Sequence, residues 1–163
     1  MASSLALLCS ARAPAGVLLA VHDLAQAWRR GGITIISGFH SPVEREAFTV
    51  LLRGPAAVVW VPARAVPSRL PPDVRAALAA GRLTIESPFD ERVRRATRQT
   101  AAARNRYVCD RAAAVLVAYA HPAGETEALA RELLAVGKPV YTIDHPANAA
   151  LVAAGARVYR PGV

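Results

Sequence analysis

Between residues 112 and 143 the sequence holds an apolar run, a short loop, an amphipathic segment and a second apolar run, and this order constrains the fold most. Residues 112–118 are all apolar, which is typical of a parallel strand covered on both faces. Leu129 and Leu133 mark one face of a helix that should end at Gly137, because Lys and Pro follow. A strand, a helix and a returning strand form a β-α-β unit, so the sequence predicts a parallel sheet.

The remaining segments alternate in the same way, which favours a three-layer, Rossmann-like α/β fold with a doubly wound, mostly parallel sheet. The predicted strands lie at residues 5–9, 33–37, 56–61, 83–86, 113–118, 140–143 and 156–159. The predicted helices lie at residues 15–30, 43–51, 71–80, 91–106, 124–136 and 148–154. No internal repeat interrupts this order, and we expect residues 1–163 to form one domain.

The chain is strongly basic, with a net charge of +8, and all but one of its 20 basic residues are arginines. Such a balance favours a polyanionic partner, above all nucleic acid. A GC-rich genome would also favour arginine over lysine, so the clustering of arginines is more informative than their number. The densest cluster consists of Arg92, Arg94, Arg95, Arg98, Arg104, Arg106 and Arg111.

Cysteine and histidine usage gives no sign of a metal site. Cys9 and Cys109 lie far apart, and the four histidines show no ligand spacing, so we expect buried, reduced thiols and neither a metal nor another cofactor. No segment is long and apolar enough to span a membrane, and the apolar start of the chain lacks the charged region of a signal peptide. The sequence therefore predicts a cytoplasmic protein without a membrane partner.

Polar residues and glycines follow the predicted strands, where a parallel sheet brings strand ends together at one edge. Arg104 to Arg106 should form a basic turn before the fifth strand, and Gly124 should open a helix whose free backbone N–H groups could hold an anion. The candidate DNA- or phosphate-binding residues are Ser10, Arg12, Ser37, Gly38, Phe39, His40, Arg104, Asn105, Arg106, Gly124 and Thr126. Helix caps, structural turns and solvated arginines are the alternative interpretation of these residues.

Several of these segments resemble the Rossmann-like domain of the DNA-processing protein A (DprA/Smf) family, which belongs to a wider group that includes the LOG-type enzymes. ARNRYVCDR at 103–111 is similar to the family's Arg-Asn-Arg-Ile-Ile-Ala-Gly-Leu-Ser. IISGFHSPVEREA at 35–47 is similar to its Val-Ser-Gly-Leu-Ala-Arg-Gly-Ile-Asp segment. Further similar segments are LALLCSAR at 5–12, ESPF at 86–89 and NAALVAAGA at 148–156.

The resemblance implies a homodimeric, non-catalytic module that holds single-stranded DNA through its phosphates. In that family the module serves the loading of RecA during natural transformation, so RecA is an implied partner. Phe39 and Tyr107 would offer the bases a small stacking surface. No catalytic residue is expected under this interpretation.

The alternative is a small-nucleotide-binding sensor or a LOG-like phosphoribohydrolase, with a nucleotide phosphate as ligand. LOG-type enzymes carry a Pro-Gly-Gly-x-Gly-Thr-x-x-Glu signature, and HPAGETE at 121–127 lacks the second glycine and the correctly spaced glutamate. The sequence therefore favours a binding module over an enzyme. Glu125 places a carboxylate where a phosphate would lie, although an acidic first turn also complements a helix dipole.

Overall fold

Short apolar segments pair side by side into one seven-stranded sheet in the computed structural model, which describes residues 3–162. The strands are β1 (Ser3–Cys9), β2 (Ile33–Ser37), β3 (Val58–Trp60), β4 (Leu83–Ile85), β5 (Ala114–Tyr119), β6 (Val140–Thr142) and β7 (Arg157–Val158). Their order is β4-β3-β2-β1-β5-β6-β7, and every neighbouring pair is parallel. The predicted doubly wound, Rossmann-like α/β fold is confirmed.

Helices connect the strands and cover both faces of the sheet. They are α1 (Ala15–Trp28), α2 (Pro42–Leu51), α3 (Pro72–Ala79), α4 (Arg98–Arg111), α5 (Glu125–Ala135) and α6 (Ala149–Ala154), the last preceded by a 3₁₀ turn, Pro146–Asn148. The longest of them, α1 and α4, have 14 residues each. Within residues 3–162, no helix has the length and apolar character needed to cross a bilayer.

Two apolar clusters form the core, one on each face of the sheet. Along β1, Leu5 and Leu7 belong to the cluster with α1, α2 and α3, whereas Ala6 and Leu8 belong to the cluster with α4, α5 and α6. This alternation follows from the two-residue period of a strand. Both cysteines are free and buried, as predicted, and burial raises the pKa of each thiol to about 12.

The position predicted for the basic helix, residues 91–106, is wrong. Residues 91–97 are irregular, and α4 begins at Arg98 because Thr97 caps it. The Thr97 hydroxyl accepts from the Thr100 N–H at 3.1 Å, and the Thr100 hydroxyl accepts from the Thr97 N–H at 2.8 Å. The helix continues to Arg111, so the residues expected in a basic turn at 104–106 lie inside α4.

The strand order reverses between β1 and β5, and this reversal positions the site. From β1 the chain adds β2, β3 and β4 on one side, whereas β5, β6 and β7 lie on the other. The connections that follow β1 and β5 therefore diverge and leave an opening at the carboxyl ends of these strands. Ser10 joins the two connections, since its N–H donates to the Tyr119 carbonyl and its hydroxyl accepts from the His121 N–H, both at 2.9 Å.

Candidate nucleic-acid interface

A crevice of about 290 Å³ occupies the opening at the carboxyl ends of β1, β2 and β5. Six of the eleven predicted site residues line it, namely Ser10, His40, Arg104, Asn105, Gly124 and Thr126. The structure thus brings together residues from four separate segments of the sequence. Glu44, Arg98, His121 and Glu125 also line the crevice and were not among the predicted site residues.

A larger cavity of about 380 Å³ lies at the opposite, amino-terminal edge of the sheet, between Ser4, Ala114 and Tyr159. Its larger volume alone would favour this cavity as the ligand-binding site. Open parallel sheets bind ligands at the carboxyl ends of the strands, where the connections diverge and helices begin. We therefore assign the candidate site to the smaller crevice.

Glu44 is a buried carboxylate at the base of the crevice and is 5% exposed. Its Oε2 accepts from the Cys9 N–H at 2.9 Å, and its Oε1 accepts from the His40 N–H at 3.0 Å. The Ser37 hydroxyl lies 3.5 Å from Oε1. Glu44 therefore joins the end of β1 to the end of β2 and fixes the loop between β2 and α2.

The sequence contained a signal for Glu44, but that signal indicates another role. Ser41 and Glu44 have the Ser-x-x-Glu spacing of a capping box, in which the glutamate bonds back to the cap. Ser41 does cap α2, accepting from the Glu44 N–H at 3.3 Å. The carboxylate instead reaches β1, a contact that sequence spacing does not reveal.

Arg104 is a buried cation beside this carboxylate and is 4% exposed. Its Nη1 donates to the Val61 carbonyl at 3.2 Å, and its Nε donates to Oδ1 of Asn105 at 2.8 Å. Burial lowers the pKa of the Arg104 guanidinium, and the negative charge of Glu44 acts in the opposite direction. Arginine nevertheless stays protonated in proteins, so the crevice has a fixed positive charge in its wall.

Gly38 makes room for that cation. A Cβ atom at Gly38 would lie 2.1 Å from Nη1 of Arg104 and 2.3 Å from Cζ. The backbone of the loop after β2 therefore passes directly against the guanidinium, a close approach that only glycine permits. A glycine is needed at position 38 for this close packing and not for its backbone conformation, because Gly38 does not adopt a positive φ.

Ser37 and Phe39 lie beneath the crevice surface. The Ser37 hydroxyl donates to the Leu7 carbonyl at 2.8 Å and accepts from the Phe39 N–H at 3.0 Å, so its bonding is internal. Phe39 is 6% exposed, and its ring stacks on Phe48 with centroids 4.4 Å apart. The expected stacking of a base on Phe39 is wrong, because its ring is packed in the core.

The Tyr107 hydroxyl is likewise engaged in a hydrogen bond within the protein. It donates to Glu86 at 2.9 Å, and Arg111 forms a 2.8 Å ion pair with the same carboxylate. The hydrogen bond from Arg111 is the main reason that the pKa of Glu86 is lowered. Tyr107 thus fastens α4 to the end of β4 and does not line the crevice.

Two ion pairs connect α4 to α5, and only one of them borders the crevice. Arg98 pairs with Glu125 at 2.7 Å at the crevice, whereas Arg106 pairs with Glu132 at 2.7 Å. Arg106 lines a separate groove between the two helices and not the crevice. Arg12 is exposed and also lies outside the residues that line the crevice.

Opposite charges balance inside the crevice. Its lining contains two arginines, Arg98 and Arg104, and two carboxylates, Glu44 and Glu125. The sequence predicted a basic turn at residues 104–106, but each arginine that lines the crevice lies near a negative charge. The excess positive charge of the protein must therefore lie outside the crevice.

Three solved structures share this fold. DNA processing protein A (DprA) from Streptococcus pneumoniae superimposes with a TM-score of 0.78 and 16% identity, over 97% of this chain and 58% of that chain. DprA from Helicobacter pylori, whose structure concerns its single-stranded DNA binding mode, gives a TM-score of 0.70 and 18% identity over 90% of this chain and 67% of that chain. The Moco carrier protein from Chlamydomonas reinhardtii gives a TM-score of 0.61 and 15% identity over 98% of this chain and 90% of that chain.

These likenesses establish a DprA-like, Rossmann-like fold. The chain spans less than two thirds of the S. pneumoniae protein. No protein-family model matches the sequence, and no curated protein matches it either.

Proposed function

We propose that this chain is a DprA-like module that binds single-stranded DNA through its phosphates. The observation that carries this proposal is the crevice at the reversal of strand order, where the buried cation Arg104 and the start of α5 lie together. The DprA-like fold and the net charge of +8 support the same assignment.

Phosphate binding would depend on the positions of hydrogen-bond donors and of a positive charge, and would involve no covalent step. The first N–H groups of α5 have no side-chain cap, because Gly124 stands at the N-cap, and they are free to donate to a phosphate oxygen. Arg104 supplies a positive charge that is held in place by Gly38 and Val61. Glu44 keeps the loop between β2 and α2 in the shape that this arrangement needs.

The wider roles of the DprA family extend this proposal. We propose that residues 1–163 form a single domain, that the protein acts in the cytoplasm as a homodimer, and that it serves DNA recombination during natural transformation by delivering single strands to RecA. The role in recombination and the delivery of single strands to RecA depend on the DNA binding that is proposed first.

A small-nucleotide-binding sensor is the second candidate function. The balanced charges of the crevice favour it, because a mononucleotide offers both a phosphate for Arg104 and ribose hydroxyls for a carboxylate. The extent of the match to the Moco carrier protein, which covers 90% of that chain, supports the same candidate. A LOG-like phosphoribohydrolase is less well supported, because the segment at 121–127 lacks the second glycine and the correctly spaced glutamate of that signature.

Titration of labelled oligo-dT over a salt series tests the proposed function. Contacts with about four phosphates should make log K fall against log salt with a slope near −3, at roughly −0.7 per phosphate. Nucleoside monophosphates, titrated in parallel, should bind weakly. Absence of oligo-dT binding at low salt, or an affinity independent of salt, would contradict DNA binding, and tight binding of one monophosphate would favour the nucleotide sensor.

Glu125→Gln should tighten the binding of oligo-dT by about threefold to fivefold. The change releases Arg98 from its 2.7 Å ion pair and removes a negative charge from the crevice. The gain should shrink at high salt, because the repulsion that is removed is screened there. Fluorescence anisotropy at two salt concentrations measures both effects.

Glu132→Gln is the matched control, because it removes the same charge from the same helix and releases Arg106 outside the crevice. It should change the affinity less than Glu125→Gln does. Equal gains in the two variants would show that overall charge, and not the crevice, determines the effect.

A further inference from the structure

A set of exposed arginines lies on the connections that follow β3 and β4, beside the crevice. We name it the arginine platform and define it as Arg64, Arg92, Arg94 and Arg95. Within residues 3–162, Arg92 has an ion pair with Asp90 at 3.3 Å, whereas the side chains of Arg94 and Arg95 have neither an ion pair nor a hydrogen bond to a protein acceptor.

Hydrogen bonds between the two connections hold the platform together. The Ala65 N–H donates to the Val93 carbonyl at 2.7 Å, and the Ser87 hydroxyl donates to the Arg64 carbonyl at 2.7 Å. Nη1 of Arg64 also reaches the Arg94 carbonyl at 3.5 Å. The arginines are therefore displayed on two irregular segments that are bonded to each other, and their spacing is fixed before any ligand arrives.

The platform is continuous with the crevice. A second cavity of about 270 Å³ lies between them, bordered by Ala63 and Ala96 next to the platform arginines. This cavity and the crevice share His40, Arg98 and Arg104 in their walls. A ligand that leaves the crevice on this side would enter the second cavity, which Ala63 and Ala96 border next to the platform.

The distribution of charge gives the platform a role that the crevice cannot fill. The crevice arginines are balanced by two carboxylates, whereas the four platform arginines have two nearby carboxylates in their own segment, Asp90 and Glu91. The platform therefore has a net charge of +2, four arginines less two carboxylates, whereas the charges of the arginines and carboxylates in the crevice cancel. Phosphate affinity and its salt dependence come from such charges, because each one releases a condensed counterion.

We infer that the arginine platform binds the phosphates of those nucleotides that extend beyond the crevice, so that the protein takes an oligonucleotide strand. This inference rests on the proposed function and adds the path of the strand to it. The crevice and the second cavity share wall residues and lie in series, which gives a single strand a continuous path toward the platform. Exposed arginines suit contacts with the phosphate backbone, which do not depend on base sequence.

Arg94→Ala combined with Arg95→Ala tests the inference, with dTMP, a dT trimer and a dT 12-mer as probes. The variant should bind the 12-mer about fivefold to tenfold more weakly at low salt, and its salt slope should be smaller in magnitude by roughly 1.4, or 0.7 for each lost phosphate contact. Binding of dTMP should stay unchanged, because a single nucleotide would occupy only the crevice of about 290 Å³, and the trimer should lose less affinity than the 12-mer. Both residues are exposed and outside helices and strands, so the thermal melt should match the wild type.

Arg30→Ala combined with Arg53→Ala is the control, because it removes the same charge near the carboxyl ends of α1 and α2, away from the crevice. It should leave the affinity for the 12-mer and the salt slope nearly unchanged. Equal losses in both double variants, or a 12-mer affinity unaffected by the Arg94 and Arg95 changes, would overturn the platform while leaving the crevice intact.

Two further outcomes bear on the inference. If wild-type protein binds none of the probes, the proposed function and the platform fail together. If a 12-base-pair duplex binds more tightly than the dT 12-mer, the path of a single strand is overturned, and the platform is a duplex contact instead.

Discussion

Replacing Glu44 by alanine should lower the free energy of unfolding by about 3–5 kcal/mol. This is the range expected when a buried carboxylate is removed and the buried cation near it is left uncompensated. The buried Cys9 N–H would lose its acceptor, at a cost of about 1–3 kcal/mol, and the partly buried His40 N–H would lose the same acceptor at a smaller cost. Arg104 would also lose the negative charge near it. Urea denaturation followed by circular dichroism measures the change.

Glu46→Ala is the matched control on the same helix. Glu46 pairs with His22 at 2.8 Å, but both side chains are more than one third exposed, so removal should cost less than about 1 kcal/mol. Glu44→Gln should fall between the two alanine variants, because the amide oxygen still accepts while the charge is lost. A Glu44→Ala variant as stable as Glu46→Ala would show that the ends of β1 and β2 do not depend on this carboxylate.

Gly38→Ala should destabilise the protein by about 1–3 kcal/mol and weaken oligonucleotide binding, because the new methyl group would occupy the position of the Arg104 guanidinium. The arginine would have to leave its place against the Val61 carbonyl. The same change combined with Arg104→Ala should cost less than the sum of the single changes, by at least about 1 kcal/mol, since no guanidinium remains to collide.

The four proteins of this double-mutant cycle can be compared by urea denaturation, and binding of oligo-dT gives a second measure. Gly54→Ala is a useful comparison, because its Cβ would meet the backbone oxygen of Arg29 at 2.3 Å, far from the crevice. The Gly54→Ala change should lower the free energy of unfolding by the same amount whether residue 104 is arginine or alanine. Additive costs for Gly38 and Arg104 would show that the guanidinium has room to move aside.

The alternation of apolar segments was sufficient to predict the fold. The strand β2 was predicted with its observed bounds, and the run at 112–118 was correctly interpreted as a buried central strand, because burial on both faces leaves a plain signal in the sequence. The start of α4 was not predicted. Arginine favours helices, but the reciprocal Thr97 and Thr100 hydrogen bonds fix the first turn later in the chain.

Much of the site depends on contacts that are distant in sequence. Gly38 and Arg104 each looked like a ligand-binding residue, but the contact between them appears only when α4 crosses the end of β2. Arg98 and Glu125 form their ion pair across two helices, which turned an apparent repulsion of phosphate into a local balance of charge. The types of residue in the sequence were enough to indicate where the crevice lies. The balance of charge inside it could be recognised only from the folded structure.

The sheet ends in very short strands, three residues in β4 and two in β7. An edge strand presents unpaired backbone groups that can recruit another chain, and short edges limit this form of aggregation. Two copies of the protein therefore have little backbone with which to extend the sheet from one molecule into the next. Self-association through side chains on the helical faces would leave the sheet of each molecule separate.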